Sequence, residues 1–179
     1  MLDPAIGALI LGCCALLFAS SALHKLRSPA RFAQVLRAYR LLPEALLSLA
    51  PVVPLLELSV ALALLWPPGR PAGALLGVAL LIAYAAAIAL NLGRGRGDLA
   101  CGCGGPDEAR PIAPWMVGRN LLIAALLAGT LFPWRGRALL ATDLLTVGAG
   151  MAVATLLYVS ADRLLGRVAP RAAALGGSR

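Results

Sequence analysis

Long uncharged apolar runs alternate with short basic segments along this chain. Five runs are long enough to cross a bilayer, whose core of about 30 Å takes roughly 20 residues at about 1.5 Å of rise each. They cover about Pro4 to Leu23, Leu46 to Trp66, Pro71 to Leu92, Trp115 to Phe132 and Ala138 to Ala161. Lipid offers backbone N–H and C=O groups no partner, so such spans are helices or closed barrels. Uniform apolarity without strict alternation selects helices. The pattern therefore predicts an all-α integral membrane bundle of four core transmembrane helices plus a fifth C-terminal helix. It forms a single domain over residues 1–162, with 163–179 as a frayed basic tail.

Two connections are long enough to hold more than a turn. In the first, Lys25 to Ala45, Phe32, Val35, Leu36 and Tyr39 are set among Arg31, Arg37 and Arg40. That spacing predicts a short amphipathic helix at the headgroups, its apolar side on lipid or on the bundle. The second, Gly93 to Pro114, is rich in Gly and Pro and reads as irregular. Prolines 51 and 54 each remove a helical hydrogen bond, so the second span should begin bent. Ile10-Leu11-Gly12-Cys13 looks like a lipoprotein cleavage box, but no basic segment precedes it. The apolar run also continues ten residues past Cys13, so the first span is read as a retained helix.

Composition agrees with the pattern. Hydrophobic residues make up 60% of the chain and charged residues 13%, against about 45–50% and about 25% in soluble domains. This excludes an ordinary soluble globule and a disordered chain. The net charge of +8 could suit nucleic acid, but the apolar content assigns it to lipid. Its distribution carries more information. With the N-terminus outside, thirteen of the sixteen basic residues fall on inner segments and only Arg70, Arg135 and Arg137 on outer ones. The positive-inside rule then places the Gly93–Pro114 connection on the cytoplasmic face.

That connection holds the most informative chemistry. Cys101-Gly102-Cys103 lies in an exposed Gly-rich loop where thiols serve no packing purpose. A disulfide between them needs a bend at Gly102, and strained, exposed disulfides are the exchangeable kind. A cycling dithiol is the leading reading; a metal half-site and an idle pair stay open. No intramolecular metal site is expected, since the chain has one His and no second loop Cys pair. Cys13 and Cys14, inside the first span, read as small hydrophobes.

Glu57 lies midway along its span, where a carboxylate is costly unless paired, so it is a functional candidate by default. His24 and Lys25 close the first span and are candidates to face Glu57 or the thiols. Arg119 and Asn120 open the fourth span, positioned to hold the cysteine loop or to snorkel. No residue pattern demands a cofactor, although a quinone acceptor is compatible.

Taken together, His24-Lys25, Pro54-x-x-Glu57, Asn91-Leu92-x-Arg94-Gly95, Cys101-Gly102-Cys103 and Arg119-Asn120 resemble the MauE-like membrane proteins of methylamine utilisation, related to the DoxX-like family. The resemblance implies a redox-associated inner-membrane protein working with a thioredoxin-like partner. Its task would be disulfide formation or maturation of an exported protein such as a dehydrogenase subunit. On this reading Cys101 and Cys103 exchange disulfides, Glu57 and His24 assist proton movement or shape the site, and Lys25, Asn91, Arg94, Arg119 and Asn120 support it. An oxidant of exported proteins should present its thiols outside, whereas the charge count places them inside; the charge count is the stronger guide to orientation. Two other classes stay open: a non-catalytic assembly subunit with a structural or metal-binding Cys pair, and a small transporter that couples protons through Glu57.

Overall fold

A computed structural model describes residues 3–41, 43–102, 111–134 and 136–176, with side chains of the last helix as far as Ala161 and at Leu164. Helix α1 spans Pro4–Arg27. Asp3 caps it, accepting a hydrogen bond from the Ala5 amide at 2.9 Å, and Pro4 occupies the first turn, where its missing N–H costs nothing. Pro29 then disfavours helical backbone at Ser28, which adopts φ −136°, ψ 63° and forms an elbow. Helix α2, Pro29–Tyr39, begins directly beyond it and ends at Arg40 in the left-handed region.

The second span, expected to begin bent, is built from two helical segments. Glu44–Leu49 forms a 3₁₀ turn, and α3 follows over Val52–Leu65. Pro51 and Pro54 cannot donate to the preceding turn, and the change from 3₁₀ to α-helix falls at Ala50–Pro51, both with right-handed helical torsions. After Pro67–Gly69, α4 runs from Arg70 to Gly93, α5 from Pro114 to Gly129, and α6 from Ala141 to Gly176.

Four segments are long and apolar enough to cross a membrane: Pro4–Arg27, Glu44–Leu65, Pro67–Gly93 and Ala141–Ala161. The chain is thus an all-α multi-pass membrane protein. Two expected boundaries are corrected. The fourth run was expected to reach Phe132, but α5 stops at Gly129 and a turn begins at Thr130, whose hydroxyl and amide both bond to Leu127 O. At 16 residues it is shorter than the four segments above. The region after Asp162, expected to fray, continues α6 to Gly176.

Helices α1, α3, α4 and α5 form the packed centre, with α6 laid against α1. The main core joins Leu11, Cys14 and Phe18 of α1 to Val60 and Leu64 of α3, Leu81 of α4 and Leu127 of α5. Gly77 lets α4 approach closely: a Cβ there would stand 2.8 Å from Leu127 and 3.2 Å from both Phe18 and Val60. Small residues at such crossings are the usual means of packing helices in lipid. The rest of the surface is strongly apolar, including Leu62, Leu122 and Leu145, which are 62%, 62% and 77% exposed. In a bilayer these face lipid.

The bundle has two chemically different ends. At one, Arg137 bonds Asp3 at 2.8 Å and Asp143 at 2.6 Å, fastening the N-terminus to the start of α6. At the other lie the end of α1, all of α2, the start of α3, the end of α4, Cys101 and the start of α5. Exposed Arg27, Arg31, Arg37, Arg40 and Arg94 gather at this second end.

Candidate functional site

Two polar sites lie at the second end. The first is buried between α1, α3 and α4. Glu57 is 0% exposed, and its Oε1 accepts from Lys25 Nζ at 2.5 Å, Ser21 Oγ at 2.9 Å and the Tyr84 hydroxyl at 2.8 Å. Lys25 itself is 6% exposed. Its ammonium also bonds Ser21 Oγ at 2.7 Å and lies 5.2 Å from the Tyr84 ring and 5.5 Å from that of Phe32. A carboxylate and an ammonium this deep in an apolar bundle are tolerated because each neutralises the other and further donors and rings complete the shell. Glu57 Oε2 has no hydrogen-bond partner among the described residues.

Of the two basic candidates on α1, Lys25 is the one that meets Glu57. His24 is half-buried and is not among the groups bonded to that carboxylate. Ser21 and Tyr84 were not anticipated. Ser21 was within reach of sequence reasoning, since it lies four residues before Lys25 and so shares its helix face.

The second site surrounds Cys101, which is disulfide-bonded and half-buried. Cys103 lies outside the described residues. The segment reaching Cys101 is irregular, as expected. Among the described residues its ladder-like contact is a bridge between Ala100 and Pro111, with the Ile112 amide donating to Leu99 O at 2.8 Å. Cys101 packs beside a small apolar cluster of Tyr39, Ile88, Ile112 and Met116. The Tyr39 hydroxyl donates to the Cys101 carbonyl at 3.2 Å, and burial pushes the Tyr39 phenol up to about 12, so it remains a donor at neutral pH. Gly102 has φ +68°, and a Cβ there would stand 2.7 Å from Val35 Cγ1. The apolar face of α2 is therefore turned to the bundle rather than to lipid.

Asn91, expected to support the site, is 0% exposed at the end of α4. Its Nδ2 donates to Ala87 O at 3.0 Å and its Oδ1 accepts from Arg96 Nη1 at 3.1 Å. Arg96, which was not among the residues expected to support the site, also reaches Ala38 O at 2.6 Å and Tyr39 O at 3.4 Å. Arg94, the motif's arginine, is exposed instead. On α5 the Arg119 guanidinium lies 5.3 Å from the Trp115 ring and 5.6 Å from that of Tyr158, tying α5 to α6. Asn120 is 4% exposed, with Nδ2 unpartnered among the described residues. Cys13 and Cys14 are free thiols within α1. Among the described residues no three His, Cys, Asp or Glu side chains gather as a metal site.

With this geometry in place, the comparisons are consistent with one another. The family model for methylamine utilisation protein MauE matches residues 3–134. A methylamine utilization protein MauE of Paracoccus denitrificans is 38% identical over 162 residues, covering 89% of this chain and 87% of that protein. The protein of that name from Methylophilus methylotrophus is 36% identical over 85% of this chain and 82% of its own length. The one from Methylorubrum extorquens is 34% identical over 73% and 72%. No solved structure matches the chain significantly. A family model covering most of the bundle and relatives matched over most of both chains lead to one conclusion: this chain belongs to the MauE family of methylamine utilisation proteins.

Proposed function

We propose that this chain is an inner-membrane thiol–disulfide exchange protein whose working pair is Cys101 and Cys103. Its partner is a thioredoxin-like protein, and the exchange supports disulfide formation in an exported protein such as methylamine dehydrogenase. The observation that carries the reading is Cys101 itself: disulfide-bonded, half-exposed, on irregular backbone at the basic end of the bundle. A partner thiolate attacks one sulfur, the Cys101–Cys103 bond opens and a mixed disulfide forms. The partner's second thiolate then resolves it, leaving the pair as a dithiol and the partner oxidised. The reverse sequence carries electrons the other way. Two electrons and two protons change hands in either direction, and the exchange balances without a bound cofactor.

The positive-inside rule orients this end toward the cytoplasm; on this reading the pair exchanges with a cytoplasmic thiol partner, and its link to the exported protein is electron transfer across the membrane. The Lys25–Glu57 pair holds the ends of α1, α3 and α4 together beneath it, and His24 remains the candidate for local proton transfer.

Alkylation trapping tests the reading. Membranes are quenched in acid and labelled with a maleimide of high mass, before and after incubation with a reduced thioredoxin-like protein. The expected result is labelling of both Cys101 and Cys103 only after incubation; in Cys101→Ser and in Cys103→Ser the one remaining thiol labels before and after alike, so the change is lost. A labelling state that never changes contradicts the proposal and favours a static structural disulfide.

A further inference from the structure

We infer that α2 is the seat that positions Cys101 for exchange, and that Arg96 is the positioning residue that locks this seat. The inference rests on the thiol-exchange reading and assigns roles to residues that reading does not use.

Three features of the geometry lead to it. The first is the face α2 turns inward. Phe32, Val35 and Tyr39 are three and four residues apart, so they share one helix face. Phe32 lies over the Lys25 ammonium at 5.5 Å, Val35 abuts Gly102, and the Tyr39 hydroxyl holds the Cys101 carbonyl at 3.2 Å. One short helix thus touches both the buried ion pair and the cysteine segment.

The second feature is how α2 is held. It is only 11 residues long, shorter than the roughly 12–15 below which isolated helices are marginal. It therefore depends on tertiary anchors at each end. At its start the elbow at Ser28 joins it to α1, and Phe32 rests on Lys25. At its end Arg96 donates to the carbonyls of Ala38 and Tyr39, the orphan acceptors of the last turn. A cation at the negative end of a helix is favourable in itself. A planar guanidinium spreads fixed donors over two terminal nitrogens and so holds these three acceptors at once, whereas an ammonium gathers its three donors on one atom.

The third is the preparation of Arg96. Asn91 is fully buried, and its Oδ1 fixes Nη1 at 3.1 Å. The Arg96 amide donates to Asn91 O at 3.0 Å. The turn between them passes through Gly95 at φ +70°. Asn91, Arg96, the last turn of α2, Tyr39 and the Cys101 carbonyl therefore form one continuous chain of hydrogen bonds and covalent links.

These contacts support the disulfide form of Cys101. Loosening the seat should make that form easier to reduce and change its rate of exchange, whereas a purely structural arginine would alter thermal stability alone. The test is an equilibrium titration of the full-length protein in lipid nanodiscs with dithiothreitol, read by alkylation. In Arg96→Gln and in Tyr39→Phe, the reductant ratio giving half reduction should fall about three- to tenfold, the size of one lost hydrogen bond; tenfold corresponds to about 30 mV. Arg96→Lys should recover part of the shift. Arg27→Gln, on an exposed arginine of the same end, should leave the midpoint in place. A midpoint within twofold of the wild type in either Arg96→Gln or Tyr39→Phe overturns the inference. Tyr39→Phe keeps the ring in the apolar cluster, so it retains a readout if Arg96→Gln fails to fold. The titration uses a small dithiol, so its outcome is independent of whether a thioredoxin-like protein is the partner. Loss of exchange in membranes with a shifted midpoint here would sink the functional reading and leave the seat intact.

Discussion

Lys25 and Glu57 meet at 2.5 Å across the α1–α3 crossing, with almost none of either side chain exposed. Each charge is acceptable there only because of the other. Removing one leaves the other buried without compensation, which costs about 3–5 kcal/mol in comparable pairs.

The expected outcome of Lys25→Met is accordingly a large loss of stability, measured as thermal or denaturant unfolding in detergent. Glu57→Gln should cost less, because its amide oxygen still accepts from Ser21 and Tyr84. In the double variant Lys25→Met, Glu57→Gln much of the loss from Lys25→Met should be recovered. Additive losses would show that the two charges do not depend on each other.

Gly102 should tolerate no side chain. Its φ of +68° costs an L-residue about 1–2 kcal/mol, and a Cβ would stand 2.7 Å from Val35. Gly102→Ala is expected to displace the cysteine segment, read as increased proteolysis between Gly93 and Pro114. Adding Val35→Ala should restore the steric part and leave the backbone part. Wild-type protease resistance in Gly102→Ala would contradict the close approach of α2.

The clamp at the opposite end should have an acid limit. Hydrogen bonding to Arg137, helped by the Ala5 amide, holds the Asp3 carboxyl below its ordinary value of 3.8. A lowered folded value means stabilisation that is complete above pH 3.8 and disappears as pH falls through the shifted value. The difference in melting temperature between wild type and Asp3→Asn should be constant from neutral pH down to about pH 4 and vanish at lower pH. A difference that changes around pH 6 would point to another group.

Tyr39 sets an alkaline limit. Burial lifts its phenol from the ordinary 10.0 to about 12. The folded value is raised, so its contribution is complete below pH 10 and lost as pH climbs through about 12. Absorbance titration of tyrosinate should show one component near pH 12 that Tyr39→Phe removes. Ionisation near pH 10 would mean that the hydroxyl is open to water.

Much of the architecture was legible in the chain because lipid allows few solutions. Apolar runs of about 20 residues located α1, α3, α4 and the first part of α6. The boundaries at α5 and α6 were misread for a physical reason: Leu131 and Phe132 are apolar, so composition extends the run, whereas hydrogen bonding ends the helix at Gly129. The converse holds for α6. Arg163, Arg167 and Arg171 make the segment read as a tail, yet α6 continues to Gly176.

The buried site was half legible. An intramembrane carboxylate is conspicuous and a neighbouring lysine suggests itself, but Ser21 and Tyr84 carry no charge to mark them within apolar runs. Arg96 was hidden more thoroughly. It lies between glycines in a segment that reads as irregular, and its partners are backbone carbonyls of a helix more than fifty residues earlier. No local pattern encodes such a contact; only the docking of α2 on the bundle reveals it.

The central proposal is that Cys101 and Cys103 exchange disulfides with a protein partner. It is tested most directly by trapping the mixed disulfide. Cells making Cys101→Ser or Cys103→Ser are quenched with acid, and their membranes are run without reductant. One of the two variants is expected to carry a covalent adduct to a thioredoxin-like protein, released by dithiothreitol and absent from the double variant. If neither variant yields an adduct while the wild-type disulfide stays intact under a reducing challenge of the cells, Cys101 belongs to a fixed structural bond and the exchange reading is wrong.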